Sequence, residues 1–243
     1  MKMNQPHSQV QVLEPVQIKI LSDDLAAGIK TRGSRDKILE LACRLLEKVQ
    51  GSWQPRAVFR WLGVKRTTNG LVLLNSLDNG ETAQVAGCLN LGFASSFMTG
   101  AKYGLVAVFT AGDELETMAV MASREKQIMD AYLYDIIGLA VLEKLRQQIN
   151  QVVEEKAREM NWGVGPFLSP GSVHGWKLED QNNLCDLVPM ERIGVKRGEN
   201  GILEPFKTLS CLVGIGPEFS AKTVGETCEV CSKRDQCEIR SRP

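Results

Sequence analysis

The C-terminal end of the chain holds the residues whose spacing most directly suggests chemistry. Cys228 and Cys231 are separated by two residues, and Cys237 follows closely. Two thiolates at this spacing can bind one soft metal ion, and a third nearby thiolate can extend the site. Cys211, on a predicted strand, could supply the fourth ligand of a zinc ion or an iron–sulfur cluster, and Cys185 is a second candidate. Three free thiols, or a disulfide formed in air, are the alternative.

The remaining cysteines and the histidines offer little catalytic chemistry. The chain has seven cysteines, and Cys43 and Cys88 lie in apolar contexts that predict core positions. Its two histidines are His7 and His174, so we expect no histidine-based catalytic triad. His174, near Trp176, is either part of a ligand pocket or a loop residue with one ordinary hydrogen bond.

Four carboxylates are candidate ligand contacts: Glu114, Glu116, Asp135 and Glu143. Each falls in a stretch with helical periodicity, where acidic residues more often face solvent or cap a helix. The sequence contains no glycine-rich loop of the nucleotide-phosphate type. The carboxylates become site candidates only if other residues join them.

Residues 165–176 form a strongly punctuated stretch that divides the sequence into two halves. Pro166, Pro170, Gly171 and Gly175 disfavour a helix, because proline lacks the amide donor and glycine has the largest backbone entropy cost. The half before this loop is mostly helical in pattern, and the half after it predicts hairpins and strands. Such a loop leaves backbone amides and carbonyls for a ligand. The alternative is a rigid connector.

The composition is that of a soluble globular protein. The 243 residues are 43% hydrophobic, which is enough for a sizeable core. Lysine plus arginine and aspartate plus glutamate are 29 each, so we expect no nucleic-acid or membrane partner. No apolar run approaches the roughly 20 residues of a membrane-spanning helix, and the first residues do not resemble a signal peptide. The sequence therefore predicts a cytoplasmic protein.

Hydrophobic periodicity predicts an α+β fold with a twisted, largely antiparallel sheet and long helices. Helical patterns cover residues 34–49, 83–98, 113–161 and 178–188. Strands are predicted at 57–64, 71–74, 105–110, 193–195, 202–203 and 207–215, with a hairpin at Asn200-Gly201 and an extended edge segment at 10–20.

The longest helical pattern predicts one buried apolar stripe. Its members are Ile128, Ala131, Tyr132, Ile136, Leu139, Leu142 and Leu145. Gly138 lies in the stripe, where a missing side chain would allow close packing. We divide the chain into an N-terminal tail and edge segment (1–33), an α+β domain (34–222) and a cysteine-cluster tail (223–243).

Four groups of residues occur in an order and spacing that resemble a known family. They are Thr110-Ala-Gly-Asp-Glu-Leu-Glu116; Asp130-Ala131 with Asp135 and Gly138; Ser169-Pro170-Gly171 with Trp176-Lys-Leu178 and Gln181; and Ile193-Gly194-Val195 with Pro205-Phe-Lys207 and Ser210. The pattern spans roughly residues 35–216. It resembles the activation domain of cobalamin-dependent methionine synthase, and it is most similar to stand-alone forms from anaerobes that end in a cysteine cluster.

The resemblance implies both a ligand and a partner. Such domains bind S-adenosylmethionine and dock on the cobalamin module, so that oxidised cobalt(II) is reduced and remethylated. Their loop reads Arg-Pro-Ala-Pro-Gly-Tyr, and its arginine and tyrosine hold the ligand; this chain has Phe167 and Ser172 at those positions. By resemblance, the cofactor contacts here are Ser169, Pro170, Gly171, Ser172 and Glu143. Because phenylalanine cannot make a charge-assisted contact, we expect weak S-adenosylmethionine binding.

Three functions fit these observations. The first is an accessory protein that supports reductive reactivation or remethylation of a corrinoid methyltransferase protein, with a cysteine tail that passes on electrons from a donor. The second is a non-enzymatic interaction module with a structural zinc or iron–sulfur site. The third is a sulfur or metal carrier with reactive terminal thiols.

Overall fold

The computed structural model describes residues 6, 9–29, 34–77, 84–198 and 201–225. Its helices are α1 (Ser22–Gly28), α2 (Arg35–Val49), α3 (Glu114–Arg124), α4 (Ile128–Glu159) and α5 (Gln181–Cys185), with 3-10 helices at Gly92–Met98, Leu178–Asp180 and Met190–Ile193. Its strands are β1 (Gln11–Leu13), β2 (Arg56–Thr68), β3 (Leu71–Asn75), β4 (Val85–Asn90), β5 (Tyr103–Thr110), β6 (Gly163–Val164), β7 (Lys196–Arg197), β8 (Leu203–Glu204) and β9 (Thr208–Gly216).

The main sheet has the strand order β4-β3-β2-β5-β9-β6, and its described pairs are antiparallel. Strand β1 pairs with the first half of β2, on the edge that β3 uses farther along. Strands β7 and β8 form a separate hairpin. Helices and an antiparallel sheet in separate layers confirm the predicted α+β class.

Both faces of the sheet are buried, each under its own layer. Because successive side chains of a strand point to opposite faces, one strand contributes to both cores. In β2, Ala57, Phe59 and Trp61 join a core built with α1 to α4, called here the helix-side core. Val58 and Leu62 join a second core built with α5 and the 3-10 helices, called here the loop-side core. The sheet therefore separates two layers, with Phe167 and Cys211 in the helix-side core and Trp176 and Cys185 in the loop-side core.

The long helical pattern forms two helices instead of one. Lys126 adopts a left-handed backbone with φ 63°, which interrupts the helix between α3 and α4. The predicted stripe on α4 is correct for Ile136, Leu142 and Leu145, which are buried. It is wrong for three members, which are exposed: Ile128, Tyr132 and Leu139.

Two other local predictions are wrong. The stretch predicted as a helix at 83–98 contains strand β4 and a 3-10 helix, because pairing with β3 overrides the helical propensity of its small residues. The strand predicted at 193–195 instead ends a 3-10 helix, and Gly194 is left-handed with φ 73°. Four strand predictions are confirmed at β2, β3, β5 and β9. The β7–β8 hairpin is also confirmed, although Asn200 lies outside the described residues.

The N-terminal segment packs on the main sheet. After β1 pairs with β2, Ile20, Leu25 and Ile29 enter the helix-side core. In the described part of the chain, no helix combines the length and the apolar character needed to cross a membrane.

Candidate functional site

The first part of the 165–176 loop continues the edge of the sheet beyond β6. The Gly165 amide donates to the Gly214 carbonyl at 2.8 Å. Leu168 and Leu212 exchange two backbone hydrogen bonds, at 3.1 and 2.9 Å. The loop is therefore fixed to β9, and its residues point alternately to the two cores.

Phe167, the first of the loop residues compared above with the ligand-binding loop, points into the helix-side core. Its ring is 2% exposed and meets the Phe109 ring edge-on, with 6.4 Å between centroids. The Arg146 guanidinium carbon lies 5.6 Å from the Phe167 centroid, over the ring face. The side chain at this position is a packing element instead of a ligand contact.

Glu143 reaches the loop through Arg146. The Arg146 Nε and Nη2 atoms donate to the two carboxylate oxygens of Glu143, each at 2.7 Å. Because both residues lie on α4, this fork-shaped pair holds the guanidinium over Phe167. A carboxylate predicted to contact a cofactor thus neutralises an arginine that the sequence analysis missed.

The second part of the loop closes on itself. The Ser169 carbonyl accepts the amides of Ser172 and Val173, at 3.2 and 3.3 Å. The Gly171 amide donates to the Trp176 carbonyl at 2.9 Å. The backbone groups predicted to meet a ligand therefore complete a turn, and Ser169 and Pro170 are buried.

His174 and Trp176 lie on different sides of this turn. Trp176 is 2% exposed in the loop-side core, and its Nε1 has no hydrogen-bond partner among the described residues. His174 is exposed and stacks on Phe93, with 5.8 Å between ring centroids. A β-carbon on Gly92 would lie 2.5 Å from the Gly175 carbonyl, so glycine is needed at this contact. His174 and Trp176 therefore do not line the same pocket.

Residues 219–225, called here the C-terminal strap, cover the outer edge of the loop. The Val164 amide donates to the Ala221 carbonyl at 2.9 Å, and the Phe167 amide donates to the Gly225 carbonyl at 3.3 Å. The amide of Val224, a buried residue, donates to Glu154 Oε1 at 2.8 Å. The strap therefore occupies the backbone donor of Phe167.

Cys211 and Cys185 lie on opposite faces of the sheet, so they cannot bind the same metal ion. Cys211 is fully buried in the helix-side core, and burial raises the pKa of its thiol. Cys185 is buried in the loop-side core, and burial raises its pKa to about 11. Metal binding requires a thiolate, which both environments disfavour.

The three terminal cysteines, Cys228, Cys231 and Cys237, lie outside the described residues. Within the part that is described, no group of histidine, cysteine, aspartate or glutamate residues could hold a metal ion. Cys88, predicted to be a core residue, is exposed on the edge strand β4, and Cys43 is half-buried on α2.

Other family-like residues meet where α3, α4 and β9 come together, called here the α3–β9 corner. Glu116 accepts the Phe206 amide at 3.0 Å, and Thr110 Oγ1 donates to the Lys207 carbonyl at 3.3 Å. Lys207, 6% exposed, donates to Asp135 at 2.6 Å. These side chains are used within the fold.

Gly138 makes the α3–β9 corner possible. A β-carbon at this residue would lie 2.6 Å from Cδ and 2.7 Å from Cε of Lys207. The predicted close packing at Gly138 is thereby explained, because the lysine stem crosses α4 at this point. Glu114 accepts the Gln54 amide at 3.3 Å, so it too serves the fold.

A search of solved structures finds a crystal structure of the MetH reactivation domain bound to AdoHcy. The match has a TM-score of 0.64 and 15% sequence identity, and it covers 89% of this chain and 82% of that chain. At this identity the similarity establishes the fold alone. No protein-family model and no curated protein sequence matches the chain.

Proposed function

We propose that this chain is an accessory protein that docks on a cobalamin-carrying methyltransferase component and supports its reductive reactivation or remethylation. The observation that carries the proposal is the fold, which matches a MetH reactivation domain over 89% of this chain. The order of the family-like residues supports it, because the sequence resemblance implied this fold independently of the structure.

The geometry of the 165–176 loop is relevant to whether this chain binds S-adenosylmethionine. AdoHcy is bound by the structural relative, but the groups that a ligand would need here are used otherwise. Phe167 is buried, the Ser169 carbonyl and the Gly171 amide complete a turn, and the strap takes the Phe167 amide. These residues do not fit an adenosyl ligand in this arrangement, so we propose a reactivation partner that does not depend on binding S-adenosylmethionine tightly.

The cysteine tail is the proposed route for electrons. Gly225, the last described residue, lies against Phe167, so the chain continues toward Cys228, Cys231 and Cys237 from beside the loop. A thiolate-bound iron–sulfur cluster would supply one-electron transfer from an external donor. Cys211, which faces the same core as Phe167, is the proposed fourth ligand only if its thiol becomes deprotonated.

The proposal is tested with a cobalamin-loaded methyltransferase component that lacks its own reactivation domain. With an external one-electron donor present, we expect the chain to sediment with the cobalt(II) form and to accelerate its reduction to cobalt(I), followed by absorption. With a methyl donor added as well, the methylated form should accumulate. The same component without cobalamin is the control, and it should bind more weakly. Equal binding to both forms, or no complex, would contradict the proposal.

A variant separates docking from electron delivery. Replacing Cys228, Cys231 and Cys237 by serine should leave complex formation unchanged and abolish the acceleration. Calorimetry with AdoHcy should show no tight binding by the unmodified chain. A tight complex with AdoHcy would contradict the closed-loop part of the proposal and leave the docking part to be judged by sedimentation.

A second candidate function is a non-enzymatic interaction module with a structural metal. The closed turn of the loop favours it, because the Ser169 carbonyl and the Gly171 amide are already hydrogen-bonded within the loop. Metal analysis of protein purified without oxygen separates the two. Iron with sulfide supports electron delivery, whereas stoichiometric zinc supports the interaction module. Terminal thiols that accept and transfer sulfur without a bound metal would instead support a carrier.

A further inference from the structure

Four exposed apolar side chains gather around one cleft between α3 and the β7–β8 hairpin. The cleft has a volume of about 720 Å³. Val120 and Met121 line it from α3, and they are 47% and 55% exposed. Ile202 and Phe206 line it from the other side, and they are 45% and 68% exposed. Exposed apolar side chains that cluster in this way mark interaction surfaces more often than isolated ones do.

Phe206 is held in its exposed position. Its amide donates to Glu116 at 3.0 Å, and its carbonyl accepts the Thr208 amide at 2.9 Å. The Thr208 hydroxyl donates to the carbonyl of Pro205, the residue before Phe206, at 2.7 Å. Because the backbone of Phe206 is already ordered, a partner that covers the ring would restrict only the rotation of the side chain, and large aromatic rings are typical interface anchors.

The charges on α3 suggest which partner fits. Along the cleft-lining face, Asp113 and Glu116 lie at the start of the helix and Arg124 lies at its end, with Val120 and Met121 between the two charged ends. Arg124 follows Asp113 by eleven positions, which corresponds to about 16 Å along a helix. The face therefore has an acidic end, an apolar middle and a basic end.

We propose that a second copy of this chain covers the cleft, in a two-fold dimer in which the two α3 helices run antiparallel. Such symmetry places Asp113 of each copy near Arg124 of the other, and it brings the apolar middles together. A parallel arrangement would place like charges at both ends. The whole chain has no net charge, so long-range repulsion does not oppose association. This inference does not depend on the proposed function.

The test is the mass of the full chain in solution, measured by sedimentation equilibrium with a reductant and a metal chelator. These additives exclude disulfides or shared metals among the terminal cysteines. We expect a dimer at about 100 μM protein. Met121→Glu should weaken association at least about tenfold, because it places a charge in the apolar middle. Leu41→Glu, on α2, is the matched control for an exposed apolar helix residue and should dimerise as the unmodified chain does.

A charge exchange gives the sharper arm of the experiment. Asp113→Arg and Arg124→Asp should each weaken the dimer, because each puts like charges together at both ends. The variant that carries both substitutions should dimerise like the unmodified chain. Thermal unfolding of every variant checks that the fold is intact, and Val120→Glu replaces Met121→Glu if the latter unfolds. A monomer at all concentrations, a dimer insensitive to Met121→Glu, or no recovery in the exchanged variant would overturn the proposal.

Discussion

The α3–β9 corner and the 165–176 loop both contain residues of the family-like pattern, and they use them differently. In the corner, Glu116 accepts the backbone amide of Phe206, and Lys207 donates to Asp135 of α4. In the loop, Phe167 stands where the pattern has an arginine, and it is packed instead of solvated. The corner residues hold α3, α4 and β9 together. The loop is the part of the pattern where the resemblance predicts a ligand.

A similarity in fold and a similarity in ligand binding depend on different side chains. Side chains that hold elements together need the same partners in any protein with this fold, whatever that protein binds. A ligand loop has no such requirement, so its residues can be taken over by packing and by the strap. The predictions below test each side of this comparison.

The largest effect is expected for Phe167→Arg, which introduces in the loop the arginine that the resemblance predicts for a ligand contact. The substitution removes a buried ring and places a second guanidinium beside Arg146 in the helix-side core. Truncation of a buried phenylalanine costs about 3–5 kcal/mol, and an unpaired buried charge adds to that cost. Urea unfolding measures the loss of stability.

Phe167→Leu is the control for this substitution, because it keeps an apolar side chain and should cost much less. If Phe167→Arg retained full stability and gained AdoHcy binding, the ring would occupy a true ligand position and the assignment of Phe167 to packing would be wrong.

The corner is tested by Gly138→Ala. Alanine normally improves a helix interior, but here its methyl group would lie 2.6 Å from Cδ of Lys207. We expect a loss of about 1–3 kcal/mol from overpacking and from displacement of the Lys207–Asp135 pair. Chemical denaturation of Gly138→Ala, Lys207→Ala and the double variant forms a cycle. If the two losses simply added, the proposed contact would not account for the requirement for glycine.

Stability should fall in alkaline solution because of the buried thiols. The folded-state pKa of Cys185 is raised to about 11, above its ordinary value of 9.0. The stabilising contribution is fully present below pH 9, and it is lost as the pH rises toward 11, because the unfolded chain releases the proton first. The loss from Cys185 is on the order of 1–3 kcal/mol.

Denaturant midpoints measured between about pH 8 and about pH 10.5 check this pH dependence, because this range covers most of the titration of Cys185. Cys185→Ala should show a shallower decline than the unmodified chain. Since the direction of the shift is the same for Cys211, a decline should remain in that variant. A flat profile in the unmodified chain would contradict the burial argument.

The smallest effect is expected for Glu154→Ala, which removes the acceptor of the Val224 amide. Loss of one such hydrogen bond costs about 1 kcal/mol. The change should be local, so hydrogen exchange should quicken at the Val224 and Phe167 amides and stay unchanged in β5. Glu155→Ala, one residue along α4, is the matched control. Equal exchange in both variants would show that the strap does not depend on this contact.

Much of the fold follows from the sequence by itself. Apolar segments predict the strands β2, β5 and β9, because side chains on both sides of these strands enter one of the two cores. The turn around Gly201 and the requirement for a small residue at Gly138 are also readable from local pattern. The helix predicted at 83–98 is wrong, because pairing of β4 with β3 outweighs the local helical propensity.

Only the tertiary structure decided what the loop does. The contacts of Phe167 with Phe109, Arg146 and Gly225 join residues far apart in the chain, and no spacing rule predicts them. The exposure of Cys88 and the burial of Cys211 likewise depend on which strand is at the edge and which is central. Local sequence specifies elements through their own backbone geometry, whereas a site is specified by the packing that brings distant elements together.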